Sequence, residues 1–66
     1  MRLTSRELEV LRLLARGLRY AGIARQLGIT RNTAAGHLKN VYRKLAVQSG
    51  PAAVMRAVEL GLFSQA

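Results

Sequence analysis

An all-α domain of four helices is the fold this sequence predicts, and three observations predict it. Apolar residues recur at three- and four-residue spacing in four successive segments. Capping residues and glycines punctuate those segments where helices start and stop. No stretch alternates with period two for long enough to make a strand, and no internal repeat is present. The 66 residues allow one domain, spanning 1–66. So short a chain buries only about 60% of its unfolded surface. It contains no cysteine, so its core is hydrophobic rather than stapled by disulfides or thiolate-bound metal.

The first helix opens at Thr4. Thr4 and Glu7 have the spacing of a capping box, in which each side chain satisfies a free backbone donor. Glu7 and Glu9 sit in the first turns, where the helix dipole favours acids. Leu8, Leu11, Leu14 and Ala15, with Val10 beside them, form the expected apolar face, and Gly17 stops the helix. The second helix is short, about Tyr20 to Leu27, with Ile23, Ala24 and Leu27 as its buried stripe and Gly28 at its end. Ile29 is expected to be a buried turn residue, and Thr30 caps the next helix. The third helix runs from about Arg31 to Leu45. Ala34, His37, Leu38, Val41, Tyr42 and Leu45 form one face, and Arg31, Ala35, Lys39 and Arg43 form the opposite stripe. Ser49 caps the fourth helix, and Pro51 suits a first turn because its missing N–H would be unpaired there. That helix continues to about Leu60, with Gly61 as its stop.

Charge then narrows the partners. Eleven Lys and Arg against three Asp and Glu give a net charge of +8, which points to a polyanion. The acids gather at the ends, Glu7 and Glu9 in the first helix and Glu59 in the fourth, so no acid lies between Arg12 and Arg56. The acid-free stretch contains a short helix, a turn at Gly28–Ile29–Thr30 and a longer helix with a basic outer face. This is the helix-turn-helix layout. The major groove of duplex DNA admits one helix, whose first turns reach base edges, while the preceding helix lies on the backbone. No apolar run approaches the roughly 18 residues of a membrane span. No apolar signal region comes after Met1, so a cytoplasmic location and no membrane partner are expected.

Several blocks, in order, also resemble the LuxR/GerE-type DNA-binding domain of bacterial transcription regulators. They are Leu3-Thr4-Ser5-Arg6-Glu7-Leu8-Glu9-Val10-Leu11, Ala15-Arg16-Gly17 and Ile23-Ala24-Arg25-Gln26-Leu27. Thr33, His37-Leu38-Lys39-Asn40-Val41-Tyr42-Arg43-Lys44-Leu45, Val47, Ala53-Val54 and Glu59-Leu60-Gly61-Leu62 continue the pattern. The resemblance implies a four-helix unit whose third helix enters the major groove. It also implies a homodimer formed through the fourth helix, and a longer parent chain carrying an N-terminal receiver or ligand-sensing domain. The sequence departs from the pattern at informative places. Ala35 stands where a groove-facing Lys is common, Gly36 comes next to it, Arg19 replaces a usual capping Ser, Gly22 a usual acid and Gln48 a common basic residue.

Residue by residue, Lys39 is the leading candidate for base or phosphate contact, because it keeps its place on the exposed stripe. Arg31 and Asn32 fall in the first turn of the third helix, where Arg can pair with guanine and Asn with adenine, or either can be an ordinary helix-start residue. Asn40 and Arg43 lie deeper along the helix and suit phosphate. Arg19, Tyr20, Thr33 and Lys44 are candidates for the DNA backbone, and Thr30 is a cap first and a phosphate ligand second. Ala52, Met55 and Glu59 are candidate dimer contacts on a helix with apolar residues on more than one face, against the plainer reading of an ordinary packed helix. His37 has no Cys, Asp or second His near it, so a packed histidine is the better reading than a metal ligand or general base. No cofactor, metal or catalytic residue is expected, since three acids and one His supply no nucleophile–base pair. Sequence-specific binding of double-stranded DNA is the reading these residues favour. The alternative is a helical interaction module with weakened or non-specific DNA binding, motivated by Ala35, Gly36 and Gly22. Non-specific polyanion or RNA binding is a third reading, disfavoured because only three aromatics are available for base stacking.

Overall fold

A computed structural model describes residues 2–64 as four helices: α1 Ser5–Ala15, α2 Tyr20–Leu27, α3 Arg31–Leu45 and α4 Gly50–Glu59. The ends of the 1–66 domain, Met1, Gln65 and Ala66, lie outside the described residues. No strand occurs among the described residues. The start signals act locally. Thr4 Oγ1 accepts from Glu7 N while Glu7 Oε1 accepts from Thr4 N, which completes the capping box. Thr30 and Ser49 accept from Thr33 N and Ala52 N in the same way. Gly17 and Gly28 carry the left-handed φ values, 96° and 67°, that turn the chain out of α1 and α2. α4 ends at Glu59, one residue before the expected Leu60, which forms its cap.

The core has two halves that share α1 and α3. Val10, Ile23, Ala24, Ala34 and Leu38 join α1, α2 and α3. Leu11, Val41, Leu45, Ala53 and Ala57 join α1, α3 and α4. Leu14 and Tyr42 touch both halves. α2 and α4 do not pack on each other, so they flank the α1–α3 pair. The alanines at 34, 53 and 57 are fully buried, and their small side chains let the helices approach closely.

α1 departs from the expected face. Val10 and Leu11 are its fully buried residues, Leu8 and Leu14 are half-buried, and Ala15 is exposed. The reason is that α1 sits over the junction between the two core halves. Its buried arc is therefore centred on Val10 and Leu11 and takes in Glu7, leaving Ala15 on the flank. Ile29 and Leu27 are likewise half-buried against the core rather than enclosed in it.

α3 ends without a glycine. Ala46 takes the left-handed conformation, φ 58° and ψ 44°, and its N–H donates to the carbonyls of Tyr42 and Arg43. For an L-residue this conformation costs about 1–2 kcal/mol, a cost that glycine avoids at the expense of greater unfolded-state entropy. Ala46→Gly is expected to raise stability by about 0.5–1 kcal/mol. A urea titration followed by circular dichroism checks this: the midpoint should rise at constant slope, and a midpoint at or below that of the parent contradicts it.

Candidate nucleic-acid interface

The charges sort themselves first. Each of the three acids is taken by a cation: Arg6–Glu9 at 3.4 Å, Lys44–Glu7 at 2.7 Å and Arg56–Glu59 at 3.4 Å. Arg2, Arg12, Arg16, Arg19, Arg25, Arg31, Lys39 and Arg43 are left without an acidic partner among the described residues. Five of these eight belong to α2, α3 or the cap between α1 and α2. The positive excess of the chain therefore lies in large part on the helix-turn-helix.

On α3 the outer face follows the expected stripe except at Ala35. Arg31, Asn32, Thr33, Gly36, Lys39 and Arg43 are exposed, whereas Ala35 and Asn40 are half-buried. Arg43 Nη2 donates to Asn40 Oδ1 at 3.1 Å, which steers the two side chains together and leaves the Asn40 amide N–H groups to face outward partners. The threonines divide their work. Thr30 Oγ1 accepts from Thr33 N at 3.1 Å and donates to Thr33 Oγ1 at 2.9 Å, so its one proton and its cap are both committed. Thr33 Oγ1 accepts that bond and keeps its own proton for another partner. Of the two hydroxyls expected near phosphate, Thr33 is the one with a donor to give.

Lys44 sits elsewhere than on the outer face. Its ammonium donates to Glu7 Oε1 at 2.7 Å and to the Arg2 carbonyl at 3.2 Å, tying the end of α3 to the start of α1. Glu7 itself is only 4% exposed. Burial pushes its carboxyl up, but the Lys44 ammonium and the Thr4 amide, with the Lys44 charge, outweigh that and hold it below the usual carboxylate range. The basic neighbours of Lys44 place it among the backbone-binding candidates when the sequence is read alone. Its partner lies 37 residues away in sequence, and no local pattern reveals it.

α2 presents its N-terminus without a side-chain cap, since Arg19 at the N-cap position makes no such bond. Its first backbone N–H groups and the dipole there favour an anion. Arg19 and Tyr20, both exposed, line a shallow cleft of about 370 Å³ with Leu14 and Tyr42. Tyr42 is the residue that the sequence does not flag. It lies on the inward stripe of α3, yet its ring reaches the cleft that holds Arg19 and Tyr20. Burial, and then the neighbouring Tyr20, push the Tyr42 phenol above its usual range, so it remains a proton donor at neutral pH.

On α4, Met55 and Val58 are 64% and 62% exposed, one turn apart on one face. Glu59 is exposed and paired with Arg56, and Ala52 is half-buried with its N–H on Ser49. Val58 joins the three candidate dimer residues on the exposed side of this helix. His37 is half-buried, and no group of three His, Cys, Asp or Glu capable of holding a metal occurs among the described residues. Among those residues no helix is long and apolar enough to cross a membrane.

Comparisons with known proteins meet this geometry. The pattern described as GerE, bacterial regulatory proteins, luxR family, matches residues 1–57. The chain is 47% identical over 61 residues to the transcriptional activator protein AnoR of Acinetobacter nosocomialis, covering 92% of this chain and 26% of that protein. It is 47% identical over 53 residues to the nitrate/nitrite response regulator protein NarP of Escherichia coli strain K12, covering 80% of this chain and 25% of that protein. Its fold superposes on the crystal structure of the response regulator ChrA of a heme-sensing two-component system with a TM-score of 0.91, at 35% identity. The match covers 94% of this chain and 31% of that one. The chain thus spans about a quarter to a third of the length of these relatives.

Proposed function

The chain belongs to the luxR family of bacterial regulatory proteins and is a DNA-binding domain of that family, and from this premise we propose that it binds duplex DNA sequence-specifically through α3 in the major groove. One observation carries the reading: the exposed face of α3 bears Arg31, Asn32, Lys39 and Arg43 with no acid to neutralise them. Lys39, Arg31 and Asn32 approach base edges, where Arg and Lys suit guanine and Asn suits adenine. Thr33, with its free proton, and the Asn40–Arg43 pair hold phosphates along the same groove. Arg19, Tyr20 and the Tyr42 phenol, with the uncapped start of α2, hold the neighbouring backbone. Thr30 serves as cap, and Ala35 offers only a methyl group to the groove.

Two copies joined through α4 complete the reading. Met55 and Val58 form an apolar pair otherwise left to water, with Ala52 and Glu59 beside them. A two-fold dimer would place two α3 helices on half-sites about 10 bp apart. The chain spans about a quarter of a response-regulator relative, and on this reading it would belong to a longer protein that carries a receiver or other sensing domain and acts in the cytoplasm as a transcription regulator.

Lys44 supplies a test internal to this assignment. Lys44→Met is expected to lower stability by about 2 kcal/mol, because it leaves the buried Glu7 carboxylate without its cation, and to leave the salt dependence of DNA affinity unchanged. Fluorescence anisotropy of a labelled duplex across a salt series reads the second quantity. A slope that falls by about one would return Lys44 to the phosphate contacts.

A further inference from the structure

Gly36 has no reason inside the molecule to be glycine. It lies within α3 at a helical φ, and a Cβ added there would meet nothing within 4 Å. A glycine inside a helix lowers helix propensity more than any residue except proline. The residue is exposed, and its neighbours three and four positions away are Asn32, Thr33, Lys39 and Asn40, all polar. The methyl of Ala35 adjoins it. The outer face of α3 therefore has one bare, shallow apolar spot ringed by hydrogen-bonding groups. Such a spot matches one feature of the major groove. Among base edges otherwise made of donors and acceptors, thymine alone presents a methyl group, on C5.

We propose that Gly36 is a specificity-determining residue: the bare backbone at 36, beside the Ala35 methyl, seats the C5-methyl group of one thymine in the target. This inference rests on α3 entering the major groove. A side chain at 36 would hold the helix away from the groove floor. Its absence lets the backbone approach, which is the service glycine gives wherever main chain and ligand must come close. Lys39 and Asn32 then reach the bases on either side of that thymine.

The test uses the whole chain and the duplex it prefers after in vitro selection. Each thymine is replaced in turn by deoxyuridine, which removes only the methyl group. At one position the parent protein should lose about fourfold in affinity, the worth of one buried methyl group. Gly36→Val should bind the thymine duplex about tenfold more weakly and no longer distinguish thymine from uracil at that position. Gly36→Ala, which meets no atom inside the protein, should melt at a higher temperature and show a reduced thymine preference. A parent protein that ignores every thymine-to-uracil change overturns the inference, as does a Gly36→Val variant that keeps the parent's preference. A preferred duplex indifferent to its methyl groups overturns this inference alone. If no preferred duplex emerges, the groove-reading function fails, and this inference fails with it.

Discussion

Glu7→Ala is expected to destabilise the domain by about 2–3 kcal/mol, through loss of a helix cap and of a charge-assisted hydrogen bond. Glu7 Oε1 closes the capping box with Thr4 N at 2.9 Å and accepts from Lys44 Nζ at 2.7 Å, at a site only 4% exposed. One carboxylate thus fixes the start of α1 and joins it to the end of α3. A domain of this size has a total stability of about 3–10 kcal/mol, so the loss removes between about a fifth and all of it. Glu7→Gln keeps an acceptor for both donors and should lose about half as much. Urea titrations of the parent and both variants at pH 7 check the order, and a Glu7→Ala midpoint indistinguishable from the parent's contradicts it. The lowered carboxyl also sets a pH dependence. The folded value lies below the ordinary 4.5, so the unfolded chain binds more protons between the two values. The stability that Glu7 contributes is present above about pH 4.5 and is lost as pH falls through the folded value. The gap between the parent and Glu7→Gln should therefore narrow on acidification.

Lys39→Ala is expected to weaken binding to the preferred duplex about tenfold and to lower the salt slope by about one. Lys39 is exposed near the middle of α3 and has no acidic partner among the described residues, so its charge is free to displace a counterion from DNA. The same substitution falls at an exposed position and should leave the thermal midpoint within about 4 °C, because surface changes of this kind stay within about 0.5 kcal/mol. Unchanged affinity and slope in the salt series would remove Lys39 from the interface.

Much of the fold is legible in the sequence because its signals are local. Thr4 with Glu7, Thr30, Ser49 with Pro51, and Gly17 and Gly28 each act within four residues, and they set the helix limits. The exposed basic stripe of α3 is legible for the same reason, since Arg31, Lys39 and Arg43 recur with the helix period. What escapes is non-local. The burial of Glu7 and the capture of Lys44 depend on two helices meeting across 37 residues of chain. Tyr42 reads as a core residue on its own helix, and only the packing of α1 and α2 places it beside Arg19 and Tyr20. Ala46 carries no turn signal, and its left-handed conformation is imposed by the close of α3. The division of labour between Thr30 and Thr33 rests on which hydroxyl donates to which, a matter of geometry rather than residue type.

The proposed reading is that the unpaired cations on the acid-free outer face of α3 read a duplex rather than merely attract one. In vitro selection from a random duplex pool, at about 0.15 M salt where non-specific attraction is screened, tests that directly. The expected result is enrichment of one short motif, present as an inverted repeat with half-site centres about 10 bp apart. A pool that binds yet shows no enriched sequence after repeated rounds would contradict it.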